Sequence, residues 1–305
     1  MTELSKEKFK IIGCENFNSE QITRPNMSYW QDAWRRLKQN KVAVLSLVIL
    51  IIVTIMTIIG PSLTPFKYSE TNSSIINLKP NAQHWFGTDS LGRDIFARVW
   101  IGGRVSIIIG ILGTLIETVV GVIYGGISGY FGGLVDDIMM RIVEVLMSIP
   151  YLMIVILISL ILGKGMFALI LAMTITGWCG MARIIRGQIL QIKEQEFVLA
   201  AQALGAKPLR IILKHLIPNT LGVMIVYITL DVPSFIFGEA FLSFIGLGIQ
   251  SPQTSWGALA ATAQQNLMFY PYQLFFPSLM ISLTMLAFNL LGDGLRDALD
   301  PKLRQ

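Results

Sequence analysis

Apolar residues fall along this chain in long unbroken runs separated by polar stretches. The runs at 42–59 ("VAVLSLVILIIVTIMTII"), 105–128, 142–162, 166–185, 221–245 and 273–291 are each long enough to cross a hydrocarbon core of about 30 Å as a helix. A soluble protein with buried helices would rarely carry so many runs of this length, so the pattern predicts an all-α integral membrane protein with six transmembrane helices. The polar stretches divide the chain into an N-terminal tail (1–41), a first span with an outer loop (42–104), a core of spans (105–291) holding an inner loop (187–219), and a C-terminal tail (292–305).

Composition agrees with that pattern. Hydrophobic residues make up 53% and charged residues 14% of the chain, and mean hydropathy is +0.61, on the apolar side of an ordinary soluble domain. Basic residues then orient it. With the N-terminus inside, tails and inner loops hold 18 of the 24 Lys and Arg, and only Lys67, Lys79, Arg93, Arg98, Arg104 and Lys164 lie outside. That excess predicts an N-in, C-in topology, with Arg93, Arg98 and Arg104 assigned to a long outer loop that also carries Asp89 and Asp94. The net charge of +5 is spread over segments flanking the membrane and accompanies no nucleic-acid-binding motif.

Several chemistries are excluded. Cys14 and Cys179 are the two cysteines, one in the inner tail and one within the fourth span, which rules out a disulfide framework. "IIGC" at 11–14 lacks the apolar signal core that a lipoprotein cleavage site needs. His84 and His215 are far apart, so no metal cluster is expected. There is no GxxxxGK[ST] with which to hold ATP, and "GDGLRD" at 292–297 lacks the third glycine and the strand of a dinucleotide motif.

Within the spans, Gly113, Glu117, Gly121, Gly125, Gly129 and Gly133 repeat every four residues. This puts small residues on one face of the second span, where another helix backbone can approach closely, and keeps Glu117 away from lipid. The fifth span carries Asp231, Pro233 and Glu239. A carboxylate at mid-membrane costs about 2.5–3.5 kcal/mol on insertion scales. Glu117, Asp231, Pro233 and Glu239 are therefore candidates for a pathway lining, with buried helix contacts as the equal alternative. Pro233 is expected to bend its helix. "YWQDAWRRLKQNK" at 29–41 reads as an amphipathic segment, an aromatic and basic anchor for the first span. The charge-free stretch 246–272 either lies along the outer surface or dips back into the bundle.

The inner loop is the most patterned polar segment: "EFVLAAQALGAKPLRIILKHLIPN", 196–219. Phe197, Ala200, Ala201 and Leu204 fall at i, i+3, i+4 and i+7, giving one apolar face on a short helix. Gly205 ends that helix, Pro208 opens a second, and Pro218 closes it. The product is a helix-turn-helix, which by periodicity alone fits protein docking and a lipid surface equally.

"LAAQALGAKPLRIILKHLIPN" resembles the EAA loop of ABC-importer permeases, with Ala200, Ala201, Gly205, Ile217 and Pro218 in the matching places. Leu199 stands where that motif has its Glu, and His215 replaces an apolar position. "HWFGTDSLGRDIFARVWIGGRVS" (84–106), "EAFLSFIGLGIQSPQTSWG" (239–257) and "GDGLRDALDP" (292–301) are similar to the dipeptide, oligopeptide and nickel permease family in its C-type subunit, and the N-terminal segment looks most like the oligopeptide branch.

The resemblance implies a type I ABC importer permease fold in a bacterial cell membrane, with a cytoplasmic coupling helix-turn-helix. Glu196, Ala200, Ala201, Leu204, Gly205, Arg210, His215 and Pro218 form its ATPase-coupling loop. The implied partners are a homologous second permease, two cytoplasmic ABC ATPases and an extracytoplasmic peptide-binding protein, with ATP and Mg on the ATPases, no cofactor on this chain and no enzyme activity of its own. Nickel or metal-chelate import is the alternative within the family. A secondary transporter or channel, with Glu117 and Asp231 as ion ligands, is the alternative outside it.

Overall fold

A computed structural model describes residues 28–300. Among them the chain is helical, and the β-structure consists of one isolated bridge between Thr88 and Asp94. Helices run α1 Tyr29–Gln39, α2 Lys41–Ile59, α3 Ile95–Phe131, α4 Gly133–Ser148, α5 Tyr151–Leu162, α6 Met166–Ile192, α7 Glu196–Ala203, α8 Pro208–Ile211, α9 Ile217–Phe244, α10 Trp256–Gln264 and α11 Tyr272–Leu299. Cys14, "IIGC" and the outer parts of both tails lie outside the described residues.

α1 starts on a capping box in which Ser28 and Gln31 satisfy each other's backbone. It ends at Asn40, whose side chain also accepts from Val42 and Ala43 N–H to cap α2. Trp30 and Trp34 are exposed, while Ala33 and Leu37 face inward and Tyr29 donates to the Leu299 carbonyl at 3.1 Å. On α2, Ala43, Ser46, Leu50, Val53 and Thr57 are buried at alternating three- and four-residue steps against α11 and α3. Its other faces expose Leu45, Ile52 and Ile58, as a helix bathed in lipid does.

The core of the bundle is α3 against α6. A Cβ added at Gly121 would come within 2.6 Å of the Met181 side chain, one at Gly125 would collide with the Ala182 carbonyl, and one at Gly129 would meet the Arg186 carbonyl at 3.0 Å. From Gly121 to Gly129 the repeat thus seats a neighbouring backbone, as its spacing predicts, whereas Gly133 lies past the end of α3, with nothing within 4 Å of an added Cβ. Farther up, Gly110 and Gly113 receive Ile236 and Phe235 of α9.

Residues 60–94 and α10 gather around the N-terminus of α3, here the upper end. α7 and α8 gather toward its C-terminus, the lower end, where Lys193 donates to the Gly129 carbonyl at 3.1 Å, and α1 packs on α11 and α2.

Three expectations change, and an open alternative is decided. The second span begins ten residues before 105, because Asp94 caps α3 by accepting from Ala97 N–H at 2.8 Å; Arg98 and Arg104 are therefore helical, and Arg104 donates to the Thr57 and Ile58 carbonyls at the end of α2. The run 142–162 is a pair of helices, α4 and α5, bent by 83° at Ile149–Pro150. Proline there removes a backbone donor and pushes the preceding residue out of helical conformation. Among the described residues five helices have the length and apolarity of spans, or six if the bent pair is one span. The segment 246–272 is folded into the upper end: Trp256 is fully buried and donates from its indole to the Val99 carbonyl at 2.9 Å.

The last change is at Pro218, which closes no helix. The chain leaves α8 through a π turn, Ile212–Leu216, and Pro218 sits in the first turn of α9. A proline lacks one donor, and the first turn of a helix and a widened turn before it both leave that donor unneeded. Pro208–Phe244 is thus one long helical path, and α9 runs unbroken through Pro233.

Candidate functional site

α7 is short because its end is coded. Gly205 at φ +78° ends it, its N–H donating to Gln202 O at 2.9 Å while Ala206 N–H donates to Ala201 O at 3.1 Å. This paired pattern is a Schellman cap, and it needs a residue at ease in the left-handed region. Pro208 then starts α8. Two short helices joined by a fixed turn result.

One residue of α7 holds it to the bundle. Val198 is buried with Ile185, Ile189 and Ile192 of α6, Ile211 of α8 and the π-turn residues Ile212 and Leu216. The opposite face, the one the sequence marks as apolar, is uncovered: Leu204 is 88% exposed, Leu209 67% and Phe197 40%, with Leu199 and Ala200 exposed beside them. Glu196 opens the helix and Arg210 is exposed on α8. His215 lies in the π turn, where its carbonyl accepts from Asn219 at 2.6 Å. The structure therefore gathers Ala200, Ala201, Leu204, Gly205 and Arg210 at the lower end, with His215 and Pro218 on the path leading away from it.

The ground behind α7 is braced by a cluster that sequence reading missed. Arg186 of α6 grips Asp136 of α4 with two bonds, 2.6 and 2.5 Å, and Ser128 of α3 donates to the same carboxylate. A bidentate arginine fork fixes angle as well as distance, so α3, α4 and α6 are locked together nearly two turns before α6 runs into the loop. Lone charges near span ends read as topology signals in sequence; their pairing across 50 residues does not.

The intramembrane carboxylates separate into two sites. Glu117 of α3 is buried, with its carboxylate against Gly177 of α6, where a side chain would collide with it, and against Asp231 of α9. Asp231 is half-buried beside Thr114. Glu239, one of the pathway candidates, is fully enclosed by this chain and presents no surface to a passage. Its Oε1 accepts from Ser243 at 2.7 Å and Ser255 at 2.6 Å, and its Oε2 accepts from Ser106 at 3.0 Å. Ser106 Oγ in turn accepts from Trp256 N–H. Glu239 is the knot tying α3, α9 and the start of α10, which is how a buried carboxylate is made tolerable. Pro233 is buried near the α3 contact.

Residues 117–305 match the family described as binding-protein-dependent transport system inner membrane component. Residues 28–80 match the N-terminal TM domain of oligopeptide transport permease C. The dipeptide transport system permease protein DppC of Bacillus subtilis (strain 168) is 54% identical over 99% of this chain and 95% of its own length. The oligopeptide transport system permease protein OppC of the same strain is 48% identical over the whole of both chains, and that of Escherichia coli (strain K12) is 44% identical over 99% of both. With a family match over more than half of its length and relatives that align essentially end to end, this chain belongs to the membrane components of binding-protein-dependent transport systems.

Proposed function

We propose that this chain is the C-type permease subunit of a type I ABC importer for peptides. It forms the passage with a homologous permease, receives peptide from an extracytoplasmic binding protein, and is driven by two cytoplasmic ATPases that carry the ATP and Mg. The chain itself binds no cofactor and catalyses no reaction. Both tails and α7 then face the cytoplasm of a bacterial cell, and residues 60–94 with α10 face outside.

One observation carries the mechanism: α7 is rigidly capped, anchored on Val198 and exposed along Phe197 and Leu204. Such a helix fits a groove on an ATPase, where an uncovered apolar face of this kind finds cover. Because α8, the π turn and α9 form one continuous path, movement of the docked helix passes through the Gly205 turn into a spanning helix as a rigid-body motion. The Asp136–Arg186 clamp carries the same movement to α3 and α4. The peptide assignment follows the relatives, which are dipeptide and oligopeptide permeases by name.

The test is uptake of a labelled tetrapeptide, and in parallel of labelled nickel with and without chelator, in cells lacking this chain and in cells given it back. Loss and rescue of peptide uptake alone is expected. Loss of nickel uptake alone would keep the transport mechanism and replace the substrate.

A further inference from the structure

At the upper end, Arg93 and Arg98 are both buried, each about 5% exposed or less, and they share one carboxylate, Asp89. Arg93 holds it closely, Nε to Oδ2 at 2.7 Å, and Arg93 N–H donates to its other oxygen at 3.0 Å. Arg98 Nε stands 3.6 Å from Asp89, beyond hydrogen-bond reach, and this buried donor has no partner. Its Nη1 donates to the Tyr68 carbonyl. The nearby Asp94 is engaged by His84 at 2.8 Å. Two guanidinium charges therefore face one carboxylate. A buried charge without a counterion is costly, and the arrangement leaves one positive charge in search of an anion.

Both arginines line a cavity of about 350 Å³ between the end of α9, the 246–253 turn and α10. No acidic side chain lines it among the described residues. Its other polar groups are Ser243, Gln250, Ser251, Gln253, Thr262 and Gln265, and Arg93 Nη1 reaches Ser251 Oγ at 3.5 Å. Side-chain amides and hydroxyls both donate and accept, as a peptide backbone requires, and they carry no charge that would reject one side chain over another.

We propose that this cavity receives the C-terminal carboxylate of the peptide on its way to the passage. The inference rests on the peptide-importer reading above. A free carboxylate is the group every peptide shares, so a site built on it takes peptides regardless of sequence. Asp89 already neutralises half of the guanidinium charge, which keeps the attraction weak enough for release. Phe244, Ile249 and Ala258 give the cavity an apolar wall for the last side chain.

The experiment compares uptake of labelled tetra-alanine as the free acid and as its C-terminal amide, in cells expressing the complete transporter with wild-type chain, Gln250→Glu or Arg98→Gln. Gln250→Glu places a competing carboxylate in the cavity without removing an arginine, and so remains informative if Arg98→Gln does not reach the membrane. A charged hydrogen bond of about 1.5 kcal/mol corresponds to about tenfold. The acid-over-amide preference of the wild type is therefore expected to fall by about tenfold in each variant that reaches the membrane. An unchanged preference in Gln250→Glu at wild-type membrane levels overturns the proposal and leaves the peptide reading intact. Absence of tetra-alanine uptake by the wild type, in either form, overturns both.

Discussion

The two ends of the bundle handle unmet surface in opposite ways. The upper end closes on itself: Trp256 is fully buried, Glu239 takes three serine donors, Gln273 reaches Asn77 and the Thr88 carbonyl, and Tyr272 donates to the Leu78 carbonyl. The lower end keeps one buried anchor, Val198, and leaves Leu204, Leu209 and Phe197 bare. On the proposed reading, the difference separates a region packed, the arginine cavity apart, by its own chain from one that an ATPase would cover. Stability should be concentrated in the first and partner dependence in the second.

The largest effect expected at the upper end is from Trp256→Ala, which removes a fully enclosed indole and its bond to Val99. Truncating such a residue typically costs about 3–5 kcal/mol, so the purified chain should melt at a clearly lower temperature and accumulate poorly in membranes. A wild-type melting curve would show that this end is not where the fold is held. At the lower end, Leu204→Glu should leave melting unchanged and weaken co-purification of the ATPases by about tenfold, the effect of losing one good apolar anchor at an interface. Equal recovery of ATPase subunits would show that the bare face has another use.

A matched pair of glycines sharpens the contrast further. Gly205 (φ +78°) and Gly163 (φ +84°) both need the left-handed region, and a Cβ at either meets nothing within 4 Å. Valine carries a backbone cost of about 1–2 kcal/mol at Gly205 and at least as much, about 1–3 kcal/mol, at Gly163, whose ψ of −167° lies in a region open essentially to glycine alone. Only Gly205→Val should abolish peptide uptake at normal membrane levels, because only that turn joins α7 to a spanning helix; comparable uptake in the two variants would remove the special role of the turn. The smallest effect should come from Glu239→Gln, which keeps shape but gives up charge-assisted bonds. About 1–2 kcal/mol of stability is expected to go, read as a modest shift in melting with ATPase binding untouched.

The sequence made the lower end legible and the upper end largely opaque, for a physical reason. Membrane spans and α7 depend on neighbours three or four residues away, so hydropathy and periodicity expose them directly, and Gly205 announces its turn by its own backbone freedom. Glu239 depends on Ser106, 133 residues distant, and Arg93 and Arg98 share a carboxylate only after the chain has folded back. From spacing alone, Glu239 reads equally as a pathway residue and as a buried helix contact, and the two arginines read as loop charges. Pro150 and Pro218 show that even a strong local signal needs context. The first breaks an apolar run into α4 and α5; the second, supported by a π turn, is passed over without a break.

The unbroken path from Pro208 to Phe244 spans 37 residues, or about 55 Å at helical rise. It works as a lever. A tilt of about 10° imposed at its foot, beside α7, would carry its tip sideways by about 10 Å, given that length. That tip bears Ser243 and Phe244, which help to wall the arginine cavity. If the proposed ATPase docking and carboxylate site both hold, work done by nucleotide on one side of the membrane would appear on the other as a change in how tightly a carboxylate is held, with no chain of side-chain relays in between.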